Sequence, residues 1–220
     1  MEVAAAASAG HQRAPQALHL LPARTLPSPV PLPIPFFWGE KLDTLTDGPS
    51  FQATVGGGGR PANRTVVFRG FQEHCDKIQI NTDARSNKIG EIKEWPLGEI
   101  CWYFTDSWEQ FRISGIIDVI DGSCPDPAKL QQREKAWFAS SVKSRLQYLG
   151  PSPGVPVAND DHVTDVHLDP SAGPVDAYCL LTLDPEKVDY VNLKSNQRLM
   201  FTRTQEGDES SDWMAKKVSP

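Results

Sequence analysis

The chain alternates apolar and polar residues over several short runs, and the clearest run lies in the middle of the sequence. Positions 111, 113, 115, 117 and 119 are Phe, Ile, Gly, Ile and Val, whereas positions 110, 112, 114, 116 and 118 are Gln, Arg, Ser, Ile and Asp. A period of two predicts a strand with one packed face and one face that can meet a ligand. Residues 99–105 and 108–120 are therefore predicted to form a hairpin.

Short β-rich runs separated by turn residues extend this pattern over the chain from residue 51 onward. Residues 51–55 and 64–69 flank Gly56-Gly57-Gly58-Gly59-Arg60-Pro61, which predicts a strand, a turn and a strand. A phosphate-binding loop is the alternative for the glycines, but no Lys-Ser/Thr follows them and a strand comes next. The other predicted strands are 77–81, 178–183, 188–193 and 198–203. We expect a mostly β fold, an antiparallel barrel or sandwich-like sheet.

Two helices are predicted between the strands. Thr82 or Asp83 can cap a short helix. Its packed side is expected to carry Ile89, Ile92 and Trp95. A longer helix is predicted from Asp126-Pro127 to Leu149-Gly150-Pro151, because aspartate followed by proline starts helices and glycine ends them. Its packing stripe is expected to be Leu130, Trp137, Phe138, Val142, Leu146 and Leu149.

The first 35 residues differ in composition from the rest of the chain. They contain seven prolines, an alanine run at 4–7, two arginines and one acidic residue, Glu2. This composition is typical of a disordered extension, which is either an organelle transit peptide or a segment without a targeting signal. We expect a cytoplasmic protein, or a plastid or mitochondrial one if the segment is a transit peptide. Residues 36–50 form a poorly defined lead-in to one domain at 51–220, in which 152–175 are expected to be a surface loop.

The charge balance limits the partners of this domain. The chain has 22 Lys and Arg against 28 Asp and Glu, a net charge of -6, which does not favour nucleic acid. No run approaches the roughly 18 to 20 apolar residues of a membrane-spanning helix, so no membrane partner is expected. An anionic ligand would need a local basic pocket.

Three further features are interpreted as structural. The four cysteines lack C-x-x-C spacing and are expected to be reduced thiols. Residues 160–167 hold aspartates and two histidines that could be drawn as a metal site, but their surroundings are more typical of a solvated loop. The tryptophans are expected to pack in a core or an interface, because base stacking does not suit an acidic chain.

Several cations stand beside predicted strand ends and could form a basic pocket. They are Arg64, Arg69, Arg85, Lys88, Arg112 and Arg198. On one regular strand, Arg64 and Arg69 point to opposite faces, so they reach one ligand only at a rim, twist or bulge. Thr82, Ser86 and Lys88 surround a predicted helix start, where backbone N–H groups favour phosphate. Solvated charges with ordinary helix caps are the alternative.

Four segments occur in a characteristic order. They are Arg64-Thr-Val-Val-Phe-Arg69, Asn81-Thr-Asp-Ala-Arg-Ser-Asn-Lys88, Trp108-Glu-Gln-Phe-Arg-Ile-Ser-Gly115 and Trp213-Met-Ala-Lys-Lys-Val-Ser-Pro220. Together they resemble the pyridoxamine 5'-phosphate oxidase-like family of FMN-binding split barrels, in particular its plant and cyanobacterial branch. The resemblance covers about 51–220. It implies a split β-barrel and a homodimer that holds FMN at the subunit interface.

The resemblance also implies which residues bind the FMN phosphate. Arg64 and Lys88 match family positions that hold it, and Thr82 and Ser86 match the segment that wraps it. A guanidinium, an ammonium, hydroxyls and a helix start complement a near-dianionic phosphate.

Three further positions are assigned by the same resemblance. Gln110 matches a glutamine that hydrogen-bonds the flavin ring, and Arg198 matches a late arginine that meets FMN. Arg69 stands where the family usually has a lysine near both flavin and substrate. The implied reaction is the oxidation of pyridoxine or pyridoxamine 5'-phosphate to pyridoxal 5'-phosphate, with oxygen as the acceptor.

The chain departs from the family pattern both at the cofactor phosphate, where Asn87 removes one contact, and on the substrate side. Asn87 stands in place of an arginine and Asn81 in place of a tyrosine. The Arg-x-His pair is absent around 196–198, and so is the Tyr-Phe-x-x-Arg-Pro run. Two alternatives therefore stay open: an FMN split-barrel reductase acting on another small molecule, and a non-catalytic protein that binds FMN or pyridoxal phosphate.

Overall fold

The structure, a computed structural model, describes residues 50–156, 167–204 and 213–220. Its strands are β1 (Ser50–Val55), β2 (Pro61–Val66), β3 (Phe68–Phe71), β4 (Ile78–Asp83), β5 (Leu97–Phe104), β6 (Glu109–Ile120), β7 (Tyr178–Asn192), β8 (Gln197–Arg203) and β9 (Trp213–Val218). Its α-helices are α1 (Asn87–Glu94), α2 (Pro127–Ala139) and α3 (Val142–Leu146). Short 3-10 turns lie at Gly57–Gly59 and Gln147–Leu149. The prediction of a mostly β fold is confirmed.

The strands form one curled antiparallel sheet that divides along β7. The strand order is β2-β1-β5-β6-β7-β4-β3, and β8 pairs with both β7 and β9. The first part of β7 pairs with β4 over residues 178–183, and its last part pairs with β8 over residues 187–192. β6 accompanies β7 on the other side along almost its whole length. Two sheet arms therefore leave the same edge of β7, which gives a split barrel.

Gly115 lies where the two arms separate. The register of β6 and β7 shifts between Ser114 and Gly115, and Gly115 pairs with Pro185. A Cβ atom at position 115 would lie 2.0 Å from the carbonyl oxygen of Asp184, so only glycine fits without moving the backbone. Because proline cannot donate a ladder hydrogen bond, a bulge is a position that tolerates it.

The alternation predicted for β6 is seen in the burial of its side chains. Phe111, Ile113 and Ile117 are buried in the main core, which they share with the inner faces of β4, β5 and β7. Gln110 and Arg112 lie on the other face and are only half-buried. The inner face therefore stabilises the barrel, whereas the outer face keeps polar groups accessible.

Two predicted elements are divided in the structure. The predicted strand over 64–69 is split at Val67, so Arg64 lies on β2, paired with β1, and Arg69 lies on β3, paired with β4. The long helix predicted from Asp126 ends at Ala139 and resumes as α3. Asp126 does cap α2, with its side chain accepting from the backbone N–H groups of residues 128 and 129.

Other predictions need smaller corrections. The strands predicted at 178–183 and 188–193 are one continuous strand, β7, and the terminal strand β9 was not predicted from the pattern. Ser86, rather than Thr82 or Asp83, holds the N-cap position of α1. Ile89 and Ile92 are buried as expected, but Trp95 is 50% exposed and Phe138 is 44% exposed, so neither belongs to a packing stripe.

Several predictions lie outside the described residues: those on 1–35 and on 36–49, and that on most of the 160–167 segment. The four cysteines form no disulfide. Over 50–156, 167–204 and 213–220, no cluster of three or more metal-ligating side chains is present. No helix in the same stretches is long and apolar enough to cross a bilayer.

Candidate cofactor site

A cavity of about 560 Å³ lies where the β2–β3 junction, the end of β4, the start of α1 and the α3 segment meet. We call it the Lys88 cavity. Its polar lining includes four of the predicted site residues, Arg69, Thr82, Ser86 and Lys88. Three consecutive elements, β3, β4 and α1, thus place these side chains around one space.

Lys88 is the central cation of this cavity. It is half-buried, and its Nζ donates a hydrogen bond to Oγ1 of Thr82 at 2.7 Å. Burial lowers the pKa of Lys88, and repulsion from the nearby charge of Arg64 lowers it further. No carboxylate of the described residues lies within ion-pair distance of Nζ. Asp83 and Glu91 raise the pKa of Lys88 only through longer-range attraction, so a bound anion would provide the close counterion that this lysine lacks among the described residues.

Arg64 lies close to Lys88 but outside the cavity lining. Its Nη2 forms an ion pair with Oε2 of Glu91 at 2.7 Å, and its Nη1 donates to Thr54 Oγ1 and, at 3.1 Å, to the carbonyl oxygen of Ala62. These bonds use three of the five N–H donors of the guanidinium, so two remain for another acceptor. The hydrogen bond from Thr54, more than that from Arg64, holds the pKa of Glu91 below its usual range against the effect of burial.

The start of α1 presents polar groups to the same cavity. Ser86 holds the N-cap position, but its hydroxyl donates to the carbonyl oxygen of Asp83 at 2.7 Å and does not cap the helix. Asp83 is bound by Arg85 through side-chain hydrogen bonds of 2.9 and 2.7 Å. Burial raises the pKa of Asp83, but the bonds from Arg85 outweigh it, so this pKa lies below its ordinary value. Asp83, the only carboxylate among the described residues that line the cavity, is therefore already neutralised.

Arg69 and Lys143 add two more positive charges to the Lys88 cavity. Both are exposed, and neither side chain forms an ion pair with a described residue. Arg69 also lines an adjoining cavity of about 380 Å³. The lining thus holds three cations against one paired carboxylate, in a chain whose net charge is -6. Such a surplus, together with hydroxyls, fits a phosphate-bearing ligand.

The two remaining predicted site residues lie elsewhere. Gln110 on β6 and Arg198 on β8 both pair with Val191 of β7 and share its outer face. Arg198 binds Asp189 through two hydrogen bonds, from Nε at 2.9 Å and from Nη2 at 2.7 Å. Arg112 binds the same carboxylate. Neither Gln110 nor Arg198 lines the Lys88 cavity.

Sequence reasoning missed residues on both parts of the site. Lys143 and Ser144 line the Lys88 cavity, but a continuous helix over 126–149 gave no reason to single them out. Asp189 neutralises two arginines from neighbouring strands. Asp189 stands between Val188 and Tyr190 in an alternating run. This pattern predicts that its side chain faces outward, but it does not identify the arginines that bind it.

The split sheet and its basic cavity define a split barrel with a site for a phosphate-bearing ligand. A family model described as pyridoxamine 5'-phosphate oxidase, FMN-binding domain, matches residues 42–121. The chain is 61% identical over 168 residues to pyridoxine/pyridoxamine 5'-phosphate oxidase 2 of Arabidopsis thaliana, covering 76% of this chain and 85% of the relative. The chain therefore belongs to the pyridoxamine 5'-phosphate oxidase family. FMN is its cofactor, and it is an FMN-dependent oxidoreductase.

Solved structures agree with this assignment. A pyridoxamine 5'-phosphate oxidase-related, FMN-binding protein of Nostoc punctiforme superposes with a TM-score of 0.73 at 33% identity, covering 86% of this chain and 95% of that one. PhzG of Burkholderia lata, solved with tetrahydrophenazine-1-carboxylic acid, gives a TM-score of 0.61 at 18% identity over 88% and 95% of the two chains. At 18% identity, the similarity to PhzG shows a shared fold alone.

Proposed function

We propose that this chain oxidises pyridoxine 5'-phosphate and pyridoxamine 5'-phosphate to pyridoxal 5'-phosphate, with oxygen as the electron acceptor. In the first reaction C4' of the alcohol loses two electrons and two hydrogens, and oxygen is reduced to hydrogen peroxide. In the second, the amine is oxidised in the same way, and water releases ammonia from C4'. Such a reaction serves the recovery of vitamin B6. The name of the Arabidopsis relative, pyridoxine/pyridoxamine 5'-phosphate oxidase 2, supports this substrate class.

The observation that carries the proposal is that Lys88, inside a cavity with further cations, has no ion-pair partner among the described residues. FMN, when bound, supplies the redox chemistry. The residues of the chain bind and orient: Lys88, Thr82 and the two free donors of Arg64 hold the cofactor phosphate, with Ser86 beside them. Arg69, exposed on another side of the same cavity, orients the substrate against the cofactor.

We further propose that the working unit is a homodimer, because one chain does not bring all the predicted FMN ligands together. Thr82 pairs with Cys179, whereas Gln110 and Arg198 pair with Val191, twelve residues further along β7. A fully extended strand would separate these positions by about 40 Å. Bending and the bulge shorten this distance but leave the two groups at opposite ends of β7. A second copy supplies Gln110 and Arg198 to the cavity of the first.

Subunit mixing tests this two-chain site. Lys88→Ala and Arg198→Ala damage different halves of the proposed site, so each variant alone should bind FMN poorly. After the two are unfolded together and refolded, a heterodimer carries one site with both damaged halves and one intact site. About a quarter of all sites should then recover, because half of the dimers are mixed. A monomer in light scattering, or no recovery on mixing, contradicts the proposal.

The reaction itself is tested by anaerobic mixing of FMN-loaded protein with pyridoxine 5'-phosphate. The visible flavin absorbance should bleach and should return when oxygen is admitted, with formation of pyridoxal 5'-phosphate. The second candidate is a reductase of another small molecule, favoured by the binding of Arg198 to Asp189 and by the absence of a histidine in Asn196-Gln197-Arg198. Bleaching by NAD(P)H but not by any phosphorylated B6 vitamer would favour that candidate and contradict the first.

A further inference from the structure

Gln52 is a buried polar residue in the middle of β1. Its side chain is completely inaccessible to solvent, yet neither its amide nitrogen nor its amide oxygen has a hydrogen-bond partner among the described residues. Burying an amide in this way is costly, because the hydrogen bonds that it makes with water in the unfolded chain are lost and not replaced. Buried polar groups are nearly always satisfied in proteins, so the retention of this amide requires a reason.

Strand pairing places Gln52 beside Arg64. The two residues stand directly opposite each other in the antiparallel pair of β1 and β2. Side chains at opposite positions lie on the same face of a sheet, with their Cβ atoms about 5 Å apart. Thr54, two residues further along β1, is on this face as well, and it accepts a hydrogen bond from Arg64 Nη1. Gln52 is therefore a direct neighbour of the arginine that is proposed to hold the cofactor phosphate.

Gln52 can act on a bound anion only through a neighbouring side chain. It is not among the described residues that line the Lys88 cavity, and a fully buried amide offers no surface to a phosphate. The side chain of Arg64, by contrast, is 22% exposed, and two of its N–H donors are not used by Thr54, Ala62 or Glu91. Arg64 is thus the side chain that connects Gln52 with the cavity.

We propose that Gln52 is a positioning residue, whose amide oxygen holds Arg64 in the orientation that binds the FMN phosphate. Arg64 lies outside the cavity lining, so its guanidinium must turn from Glu91 to present its free donors to a phosphate there. The turn releases an N–H group, and Gln52 accepts it. A neutral acceptor fixes the arginine without adding negative charge beside an anion. The inference rests on the proposed contact between Arg64 and the FMN phosphate.

Two substitutions on the same face of β1 test this role in the full chain freed of FMN. Gln52→Met keeps the length of the side chain and removes both amide atoms. It should raise the FMN dissociation constant about fivefold, the effect of one hydrogen bond, without lowering the urea midpoint of the FMN-free protein. Ser50→Ala is the matched control, because Ser50 is also buried but binds the carbonyl oxygen of Val66. It should lower that midpoint and leave FMN binding unchanged.

A double-mutant cycle identifies the residue through which Gln52 acts. If that residue is Arg64, Gln52→Met should weaken FMN binding in the natural chain and should have no further effect in Arg64→Ala. An equal effect in both backgrounds would overturn the inference, and so would a joint loss of affinity and stability in Gln52→Met. Gln52→Leu replaces Gln52→Met if the latter does not fold. Failure of both to fold would mean that the ligand-free fold needs the amide, which also overturns the inference.

The result for Arg64→Ala separates this inference from the proposal on which it rests. If Arg64→Ala binds FMN weakly and Gln52→Met binds it normally, the proposed cofactor site stands and the role of Gln52 is wrong. If Arg64→Ala binds FMN normally, the proposed contact of Arg64 is wrong and the inference fails with it. Neither result bears on the oxidation of phosphorylated vitamers, which the bleaching of flavin absorbance tests independently.

Discussion

Lys88 and Thr82 are joined by one hydrogen bond of 2.7 Å from Nζ to Oγ1, and this bond links the first turn of α1 to the end of β4. Thr82 is buried, and its pairing with Cys179 fixes its position in the sheet. The strand therefore places the hydroxyl, and the hydroxyl directs the lysine into the cavity. Neither contact supplies a negative charge, and no carboxylate of the described residues lies within ion-pair distance of the lysine.

Removal of the positive charge of Lys88 or of Arg64 should weaken FMN binding. We expect Lys88→Ala and Arg64→Ala each to cost about 1.5 to 3 kcal/mol of FMN binding free energy, the range of a hydrogen bond to a charged group. Quenching of flavin fluorescence on titration measures the change, and Lys129→Gln, outside the cavity, should bind normally. Unchanged affinity in both variants would show that the phosphate lies elsewhere.

The role of Arg64 can be separated from that of its partner Glu91. Arg64→Ala leaves the Glu91 carboxylate without its ion pair and near Lys88, so it could weaken FMN binding indirectly. If Arg64 contacts the phosphate, the double variant Arg64→Ala/Glu91→Gln should bind FMN as weakly as Arg64→Ala. Full recovery of affinity in the double variant would mean that Arg64 acts only by neutralising Glu91.

FMN affinity should fall as pH rises into the alkaline range. Burial and the charge of Arg64 hold the pKa of Lys88 below its ordinary value, whereas a bound phosphate favours the charged form. Binding therefore takes up a proton above the pKa of the ligand-free side chain, and affinity declines there. Lys88→Arg keeps its charge, so its dissociation constant should change less between about pH 7 and about pH 10. If the FMN dissociation constant changes equally with pH in the natural protein and in Lys88→Arg, Lys88 is not the titrating group.

The strands were predictable from sequence wherever one face alone is buried. In β6, Phe111 and Ile113 face the core while Gln110 and Arg112 do not, so burial follows the period of two. In β7 the first part is buried on both faces, and the two strands predicted at 178–183 and 188–193 left out the segment that contains Pro185. That proline lies at the bulge opposite Gly115, where the ladder tolerates it. The continuity of β7 depends on a neighbouring strand and not on its own sequence.

The break between α2 and α3 had only a weak local signal, because Ser140 and Ser141 are neither glycine nor proline, although Ser141 caps the start of α3. Ser140 Oγ accepts a hydrogen bond from Nδ2 of Asn81 at 2.9 Å and donates to the carbonyl oxygen of Ala136 at 3.1 Å. A contact with β4 therefore accompanies the end of the helix, and tertiary structure overrides propensity here. The same break gives α3 its position, so Lys143 could not be placed in the cavity from sequence.

Asp189 should contribute to the free energy of unfolding by neutralising two arginines on the outer face of the sheet. Its carboxylate neutralises Arg112 and Arg198, and Asp189→Asn would leave both arginines without a counterion. We expect a loss of about 2 kcal/mol in the free energy of unfolding, measured by urea denaturation. Asp118→Asn, which breaks only the exposed pair with Lys129, should cost less than about 1 kcal/mol. Equal losses in the two variants would contradict a special role for Asp189.

The contribution of Asp189 should also depend on pH. Hydrogen bonds from Arg198, and then the charge of Arg112, hold the pKa of Asp189 below its usual range. A carboxyl whose folded pKa is lowered stabilises the fold above its unfolded pKa of about 3.9, and this stabilisation disappears as pH falls through the folded pKa. The difference in stability between the natural chain and Asp189→Asn should therefore narrow in acid. A constant difference down to about pH 2 would contradict this linkage.

Gly115→Ala should destabilise the fold where the two sheet arms separate. Its Cβ would lie 2.0 Å from the carbonyl oxygen of Asp184 and 2.9 Å from Cα of Pro185, and backbone atoms cannot rotate away as a side chain can. We expect a loss of about 3 kcal/mol in the free energy of unfolding, at the upper end for overpacking. Gly90→Ala is the matched control, because Gly90 lies on α1 with nothing within 4 Å of its added Cβ. It should gain about 0.5 to 1 kcal/mol from helix propensity. Equal effects of the two substitutions would show that the bulge adjusts freely, and the close approach at Gly115 would then not determine where the sheet divides.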